Sequence, residues 1–344
     1  MSQKRSEFNS NEFYGSIVKK MAENLKDGKM PPINLAYQLK KSESGFEGAE
    51  ALLRHEKVDG YQVAPFYLFE EIRAYDEKHS RKKGENTHDL EKALTFAELE
   101  MLCRDLEKNI DSLGKDFCIS LNVNPEIFNK EFVETYQNIL KKHPKLDAKN
   151  VGIELVETSK YTVPSDVKNN FTNDEREKTV NKIREFYKNM ARLQKEGAVF
   201  SLDDFDSGEL REIGQEVLET YPFDVVKFDR DLVGDLSKRL VKAECTKNKN
   251  EKAYSLTNNV LARAVTYMEG KKKLNRPLPK QLVFEGVEEE HLSYLPDLIV
   301  KHYGTHLKDL GVKDLVFQGY GINRPAPIQD ITQMVVAENQ KTQG

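Results

Sequence analysis

The sequence predicts an α/β fold of the TIM type, a closed (β/α)8 barrel, and three observations carry that expectation. Short runs such as Val151-Gly-Ile-Glu-Leu155, Ala198-Val-Phe-Ser-Leu202 and Gln281-Leu-Val-Phe284 are apolar with little alternation, as strands covered on both faces are. Helical periodicity follows each of them, over spans long enough for parallel crossovers. No Gly-x-Gly-x-x-Gly turn follows the first strand, which disfavours the alternative, an open doubly wound sheet. The 344 residues would allow two domains at ~150 each, but a parallel barrel commonly uses ~250 or more as one.

The elements then fall in order. Residues 11–27 form an amphipathic helix with Tyr14, Ile17, Val18, Met21 and Leu25 on one face, stopped at Gly28. Ile33 to Gln38 is the first strand, and Gly48 to Arg54 follows it. The highly charged residues 74–95 read as a solvated loop or frayed helix, and helical periodicity resumes from Leu94 to Leu106. Asp116 to Val123 is a strand and Glu126 to His143 a helix. Val151 to Glu157 is a strand, followed by a polar excursion through 160–174. Residues 174–196 form a helix with Val180, Ile183, Tyr187, Met190 and Leu193 on one side and Gly197 past its end. The strand ending in Asp203-Asp204 follows, then a helix over 208–220 and a strand from Phe223 to Asp229. Residues 230–272 are helical apart from Thr246 to Lys252. Gln281 to Glu285 is a strand, Glu289 to His302 a helix, and Asp314 to Gln318 the last strand. The expected layout is a tail over 1–13, too short for a sensing domain, one barrel domain over 14–330 and a C-terminal tail over 331–344. Polar insertions fall near 75–95, 160–175 and 240–278.

A formal net charge of −4 offers no general surface for nucleic acid or acidic membranes. Cys103, Cys118 and Cys245 are far apart, with no Cys-x-x-Cys pair, which argues against a disulfide framework or zinc cluster. No apolar run reaches membrane-spanning or signal-peptide form. The expectation is a cytoplasmic protein with no membrane and no polymeric nucleic acid as partner.

Polar residues recur where strands end. Asn122 closes one strand, Glu154 sits late in the next, and Asp203 and Asp204 end the third. Lys227 and Asp229 close the fourth, Glu285 the fifth and Gln318 the sixth. Any one alone reads as a turn or salt-bridge residue, but in a parallel barrel all of these ends share one mouth. Carboxylates so packed repel one another unless cations neutralise them. Oxygen ligands without clustered His or Cys favour Mg²⁺ or Mn²⁺ over zinc. The histidines show no His-Glu-x-x-His spacing, and Asp203 to Gly208 lacks the Asp-x-Asp-x-Asp-Gly spacing of an EF-hand. Adjacent Asp203 and Asp204 could bridge a metal pair about 3.5–4 Å apart, the geometry that cleaves phosphodiesters. Lys227 would then orient the attacking water or offset charge on phosphorus.

These residues stand in a series of motifs. Glu50-Ala-Leu52 lies within Glu-Ala-Leu-Leu-Arg54, and Asn122-Val-Asn-Pro125, Glu154-Leu-Val-Glu157, Asp203-Asp-Phe-Asp206, Lys227-Phe-Asp-Arg230, Glu285-Gly-Val-Glu288 and Gln318-Gly-Tyr320 follow in order. In all of them, from about Tyr14 to Pro327, the chain resembles the EAL-domain cyclic di-GMP phosphodiesterases. The resemblance implies a barrel of the EAL kind that hydrolyses one phosphodiester of cyclic di-GMP, giving linear pGpG, with two Mg²⁺ or Mn²⁺ ions per active site. It implies that Glu50, Asn122, Glu154 and Asp203 hold one metal. Asp203, Asp204 and Glu285 would hold the second, or Glu285 would act as general base. Lys227 would position the attacking water, with Asp229 and Gln318 supporting the site. Gln38 and Arg54 would contact phosphate or guanine, and Glu157 and Glu288 would anchor the loop after Asp204. Homodimers are common in the resembled family, and this sequence is compatible with one.

The departures concentrate in that loop. The family's Asp-Phe-Gly-Thr-Gly-Tyr-Ser-Ser is Asp204-Phe-Asp-Ser-Gly-Glu-Leu210 here, so Asp206 replaces a glycine and adds a carboxylate beside the metals. Val156 replaces threonine, and Leu39 stands where Tyr-Gln is usually followed by proline. The alternative function is therefore a catalytically weak EAL domain that binds cyclic di-GMP or a protein partner as a regulator. A barrel acting on another phosphodiester carries less weight.

Overall fold

A computed structural model of the chain describes residues 10–55, 65–79, 88–155, 173–205 and 221–343. Within them a barrel closes in chain order through β1 (Ile33–Ser42), β2 (Gly45–His55), β3 (Cys118–Val123), β4 (Val151–Leu155), β5 (Phe200–Leu202), β6 (Val225–Phe228), β7 (Gln281–Phe284) and β8 (Asp314–Gln318). All pairings from β2 through β8 are parallel. The expectation of a wholly parallel barrel is corrected at β1, which runs antiparallel to both β2 and β8. The reason is local. Only Glu43 and Ser44 separate β1 from β2, far short of a crossover, and Gly45 at φ 125° makes the turn. Gln38 therefore sits mid-strand, opposite Glu50, rather than at a strand end.

Helix α1 (Ser10–Lys26) buries Tyr14, Ile17, Val18 and Met21 as its periodicity predicts, with Leu25 packed against the same core. Helices α2 (Pro65–His79) and α3 (Asp89–Leu113) correct the reading of 74–95 as solvated. Both described parts of that stretch are helical, and Asp76, His88 and Glu91 are all buried. Asp76 on α2 accepts the Leu90 and Glu91 amides at 2.9 and 3.1 Å, satisfying orphan donors at the N-terminus of another helix. His88 Nδ1 meets Glu91 at 2.9 Å and Nε2 meets Glu126, and Asn124 donates to both Glu91 oxygens. The charges that read as solvated are buried because they pair with one another.

Helix α4 (Lys130–Lys141) is capped by Asn129. On α5 (Asn173–Lys195) the predicted face is rotated. Phe186, Met190 and Leu193 are buried, while Val180 and Tyr187 are each 43% exposed. Spacing 183-186-190-193 follows the 3.6-residue period, and Phe186 takes the inward position assigned to Tyr187. The next helices are α6 (Arg230–Cys245), α7 (Lys249–Thr257), α8 (Val260–Lys273), α9 (Glu289–Leu292) and α10 (Leu295–Asp309). The expected C-terminal tail is instead helix α11 (Ile328–Gln343), which packs on α3 and β1 and buries Ile328, Ile331 and Val335. The helix expected over 208–220 and most of the 160–174 excursion lie outside the described residues. Among the described residues no helix is long and apolar enough to cross a membrane.

The His88 cluster makes a pH-dependent contribution to stability. Its hydrogen bond to Glu91 raises the imidazole pKa above 6.5 despite burial, and Glu126 adds to the rise. A folded-state value above the unfolded one gives stabilisation that is complete below the unfolded pKa and lost as pH rises through the folded one. Thermal melts of wild type and His88→Gln should differ most at about pH 6 and converge toward about pH 9. A gap that stays constant with pH would show that His88 acts through packing alone.

Candidate active site

Side chains alternate across a strand, and the residues that face into the barrel form two levels. Val199, Val225, Val283 and Val316 make a small apolar cluster of their own. Two residues beyond Val225, Val283 and Val316 come Lys227, Glu285 (just past β7) and Gln318, and four beyond Val199 comes Asp203 (just past β5). An apolar floor thus supports a polar layer at the mouth.

The layer is organised around Lys227 Nζ. It lies 3.4 Å from Glu50 Oε2, 3.0 Å from Asp203 Oδ1 and 2.7 Å from Glu285 Oε1, and it also donates to Glu154 Oε2. Four carboxylates from four parts of the barrel share one buried ammonium. Glu50 is fixed further by Asn122 Nδ2 on Oε1 at 2.7 Å and Gln318 Nε2 on Oε2 at 2.6 Å. Glu154, with no exposed surface, accepts at Oε1 from Lys40 Nζ and Ser120 Oγ.

The protonation behaviour follows from this crowding. Burial alone would lower the Lys227 pKa, but Asp203, Glu154, Glu285 and Glu50 together hold it well above the ordinary lysine value. Burial would raise Glu154, yet the Lys227 and Lys40 ammonium groups keep it well below the usual carboxylate range. Asp203 and Glu285 are less well matched. Burial pushes them to about 7 and about 8, against the pull of Lys227, with neighbouring carboxylates adding to the rise. The layer carries more negative charge than its own lysines balance.

The arrangement fits a cation. Among the described residues, Asp203, Asp204 and Glu285 place carboxylate oxygens within 4.8 Å of one another. Asp204 is exposed, at φ 52°, and its amide donates to Asp203 Oδ1 at 3.1 Å. On the opposite side, Asn122 Oδ1 is buried without a hydrogen-bond partner among the described residues, as is Gln318 Oε1. A buried acceptor without a donor is costly, and a cation beside Glu50 would satisfy Asn122. The donor set is all oxygen, as hard divalent ions require.

A cavity of about 320 Å³ opens above the layer, lined by Gln38, Glu50, Asp203, Lys227, Glu285 and Gln318, with Arg230 and Tyr320 at its edge. The loops after β7 and β8 are locked together by Val287 N to Gln318 O at 3.0 Å and Gly321 N to Val287 O at 2.9 Å. Gly319, at φ 156°, allows the approach, since a Cβ there would lie 2.3 Å from the Val287 backbone. Asn323 then clips this loop to β1, accepting from Leu39 N at 2.8 Å, while its carbonyl accepts from Gln38 Nε2 at 3.2 Å.

The structure thus brings together Glu50, Asn122, Glu154, Asp203, Asp204, Lys227, Glu285, Gln318 and Gln38. Arg54 lies near Glu50 and Tyr320, and Asp229 near Asp204. Arg54 donates to Leu53 O at 2.8 Å, and Asp229 caps α6 by accepting the Leu232 amide at 2.8 Å. Glu288 meets Arg230 at 3.4 Å and caps α9. Glu157, Asp206 and the rest of the loop after Phe205 lie outside the described residues. Lys40 and Ser120, which bond to Glu154, are the members of the layer that the sequence did not single out. Their signal is the period of two, which puts Lys40 on the face of Gln38 and Ser120 on the face of Asn122.

Fold and site together define an eight-stranded barrel with a carboxylate-rich mouth. The family model described as "EAL domain" matches residues 33–266, and the chain belongs to that family. The match ends before β7 and β8, so Glu285 and Gln318 lie beyond it. Structural likeness extends further. The EAL enzyme Bd1971 in its cAMP- and cyclic-di-GMP-bound form has a TM-score of 0.60 at 16% identity, covering 95% of this chain and 70% of its own. The PaMucR phosphodiesterase in its c-di-GMP complex gives 0.55 at 20% identity, covering 92% and 99%. The Xanthomonas citri FimX EAL domain in complex with c-di-GMP gives 0.56 at 15% identity, covering 92% and 95%. At these identities the likeness establishes the fold. No curated protein matched the chain.

Lys227 carries the charge balance of the layer. Removing one partner from a buried ionic cluster costs about 3–5 kcal/mol. Lys227→Met should therefore unfold at distinctly lower urea concentration than wild type when both are measured in chelator. Equal midpoints would show that the carboxylates are neutralised in another way.

Proposed function

We propose that the protein is a metal-dependent phosphodiesterase that hydrolyses cyclic di-GMP to linear pGpG. The observation that carries this reading is the polar layer itself, in which carboxylates from β2, β4 and the ends of β5 and β7 meet beside an Asn122 carbonyl that has no hydrogen-bond partner among the described residues. Glu50, Asn122, Glu154 and Asp203 would hold one Mg²⁺ or Mn²⁺, and Asp203, Asp204 and Glu285 a second. Two divalent ions supply water of lowered pKa and neutralise charge on the phosphorus and the leaving oxygen.

The chain's own groups supply the rest. Gln38 and Gln318 line the cavity and offer amides to phosphate or base edges. Lys227 offers a fixed positive charge at the base of the cavity, where it orients the attacking water and offsets charge gathering on phosphorus. Glu285, grouped with Asp203 and Asp204, serves as a ligand in this reading rather than as a free base. Water adds to phosphorus, the bond to the 3′ oxygen breaks, and that oxygen leaves with a proton. The same proposal covers a cytoplasmic protein and a homodimer.

Purified protein given cyclic di-GMP should form linear pGpG with Mg²⁺ or Mn²⁺ and none with chelator, followed by chromatography. Glu50→Gln and Asp203→Asn should each lower turnover by more than the ~10–100-fold that loss of an outer contact produces. Full turnover in either variant would reject the site.

A second reading, a cyclic di-GMP receptor with weak or no turnover, is supported by the altered sequence from Asp206 to Leu210. Saturable nucleotide binding without product is its expected signature. Asp206→Gly should then raise turnover at least about tenfold, a 1.4 kcal/mol change in barrier, and an unchanged rate would count against a weakened loop.

A further inference from the structure

Glu154 is tied from below as well as from the mouth. Its Oε2 receives Lys227, and its Oε1 receives Lys40 and Ser120. Lys40 is itself buried and lies outside the cavity lining, and among the described residues its ammonium bonds to Glu154 and Ser120. Its Nζ also donates to Ser120 Oγ at 2.8 Å, which makes a closed triangle of Lys40, Ser120 and one carboxylate oxygen.

Lys40 is flanked in register by Gly48 on β2 and Gln318 on β8. A Cβ on Gly48 would lie 2.3 Å from Cys118 O, and one on Gly152 would lie 3.2 Å from both Ser120 Cβ and Cys118 Sγ. Both glycines let β2 and β4 approach β3 closely at the level below Glu50 and Glu154. A carboxylate left to itself there would be free to turn either oxygen to the mouth. With Oε1 fixed by two donors, only Oε2 faces Lys227 and the Asp203–Glu285 side.

We propose that Lys40 is a positioning residue for the cation site, anchoring Oε1 of Glu154 so that Oε2 is presented to a divalent ion. The inference rests on the metal-dependent reading of the site. Its test reads metal binding without substrate, by titrating Mn²⁺ into the protein and following free Mn²⁺ by electron paramagnetic resonance.

Lys40→Met should weaken Mn²⁺ binding ~10–100-fold, the size expected for removing a partner that orients a ligand. Ser120→Ala should weaken it in the same direction by a smaller factor. Added to Glu154→Gln, Lys40→Met should cause little further loss, because the group it orients is already changed; a lysine with only a structural role would cost the same factor in both backgrounds. Wild-type affinity in Lys40→Met, or a full additional loss in the double variant, overturns the inference while leaving the proposed function intact. Absence of Mn²⁺ binding by the wild-type protein overturns both. If circular dichroism shows Lys40→Met unfolded, Lys40→Gln and Ser120→Ala decide, and wild-type affinity in both overturns the inference.

Discussion

The contact between Lys227 Nζ and the carboxylates of Glu50, Glu154, Asp203 and Glu285 is the constraint to which the rest of the barrel answers. Taking each of these groups out of water costs several kcal/mol, and only close pairing offsets it. The carboxylates come from β2, β4 and the ends of β5 and β7. Pairing is possible only when those strands stand in one register. A slip by one residue would turn each inward group outward and leave Lys227 buried without partners. The ionic layer thus adds little net stability but penalises every alternative registry. Lys40 extends the same logic downward, since it balances a carboxylate that Lys227 alone would have to share.

Backbone geometry supplies the matching constraint on the open side of the barrel. Because β1 runs against its neighbours, its N-terminal end, not its C-terminal end, lies on the side of the mouth. It contributes a mid-strand face, and Asn323 fixes that face by bonding to both the backbone of Leu39 and the side chain of Gln38. The loops after β7 and β8 meet at Gly319, where no side chain fits. Glu285 and Gln318 are therefore set relative to each other by backbone hydrogen bonds, which hold position more tightly than side-chain packing alone. The cavity is assembled from a rigid floor and two loops that are locked to it.

Much of this was legible in the sequence, and the reasons for the exceptions are physical. Strand-end residues such as Asn122, Asp203 and Lys227 announce themselves because a polar group closing an apolar run needs a partner. Glu154 could be placed on similar grounds. Lys40 gave no such signal. It lies in a strand that ends in Lys-Lys-Ser, where a lysine ordinarily reads as solvated, and only the inward parity shared with Gln38 reveals it. The antiparallel β1 was hidden because apolar content does not encode direction; the short Glu43-Ser44 link does. Residues 74–95 misled in the opposite sense, since charge density alone does not distinguish solvated ions from the mutually paired Asp76, His88 and Glu91.

The floor of the barrel shows what this interior would contain if folding were its only requirement. Val225, Val283 and Val316 pack there without polar cost, and well-packed apolar residues in place of a buried ionic cluster are often neutral or stabilising. One level higher the same strands lead into Lys227, Glu285 and Gln318, and the carboxylates around them exceed the charge of their lysines. Burial and mutual repulsion hold Asp203 and Glu285 far above ordinary carboxylate values, an arrangement that a divalent cation relieves and that folding alone does not call for. The altered loop from Asp206 onward is separate from this layer in sequence, whereas every group that would hold a cation lies on a strand or within two residues of one. The capacity to hold a cation that we propose thus rests on the strands and their immediate ends.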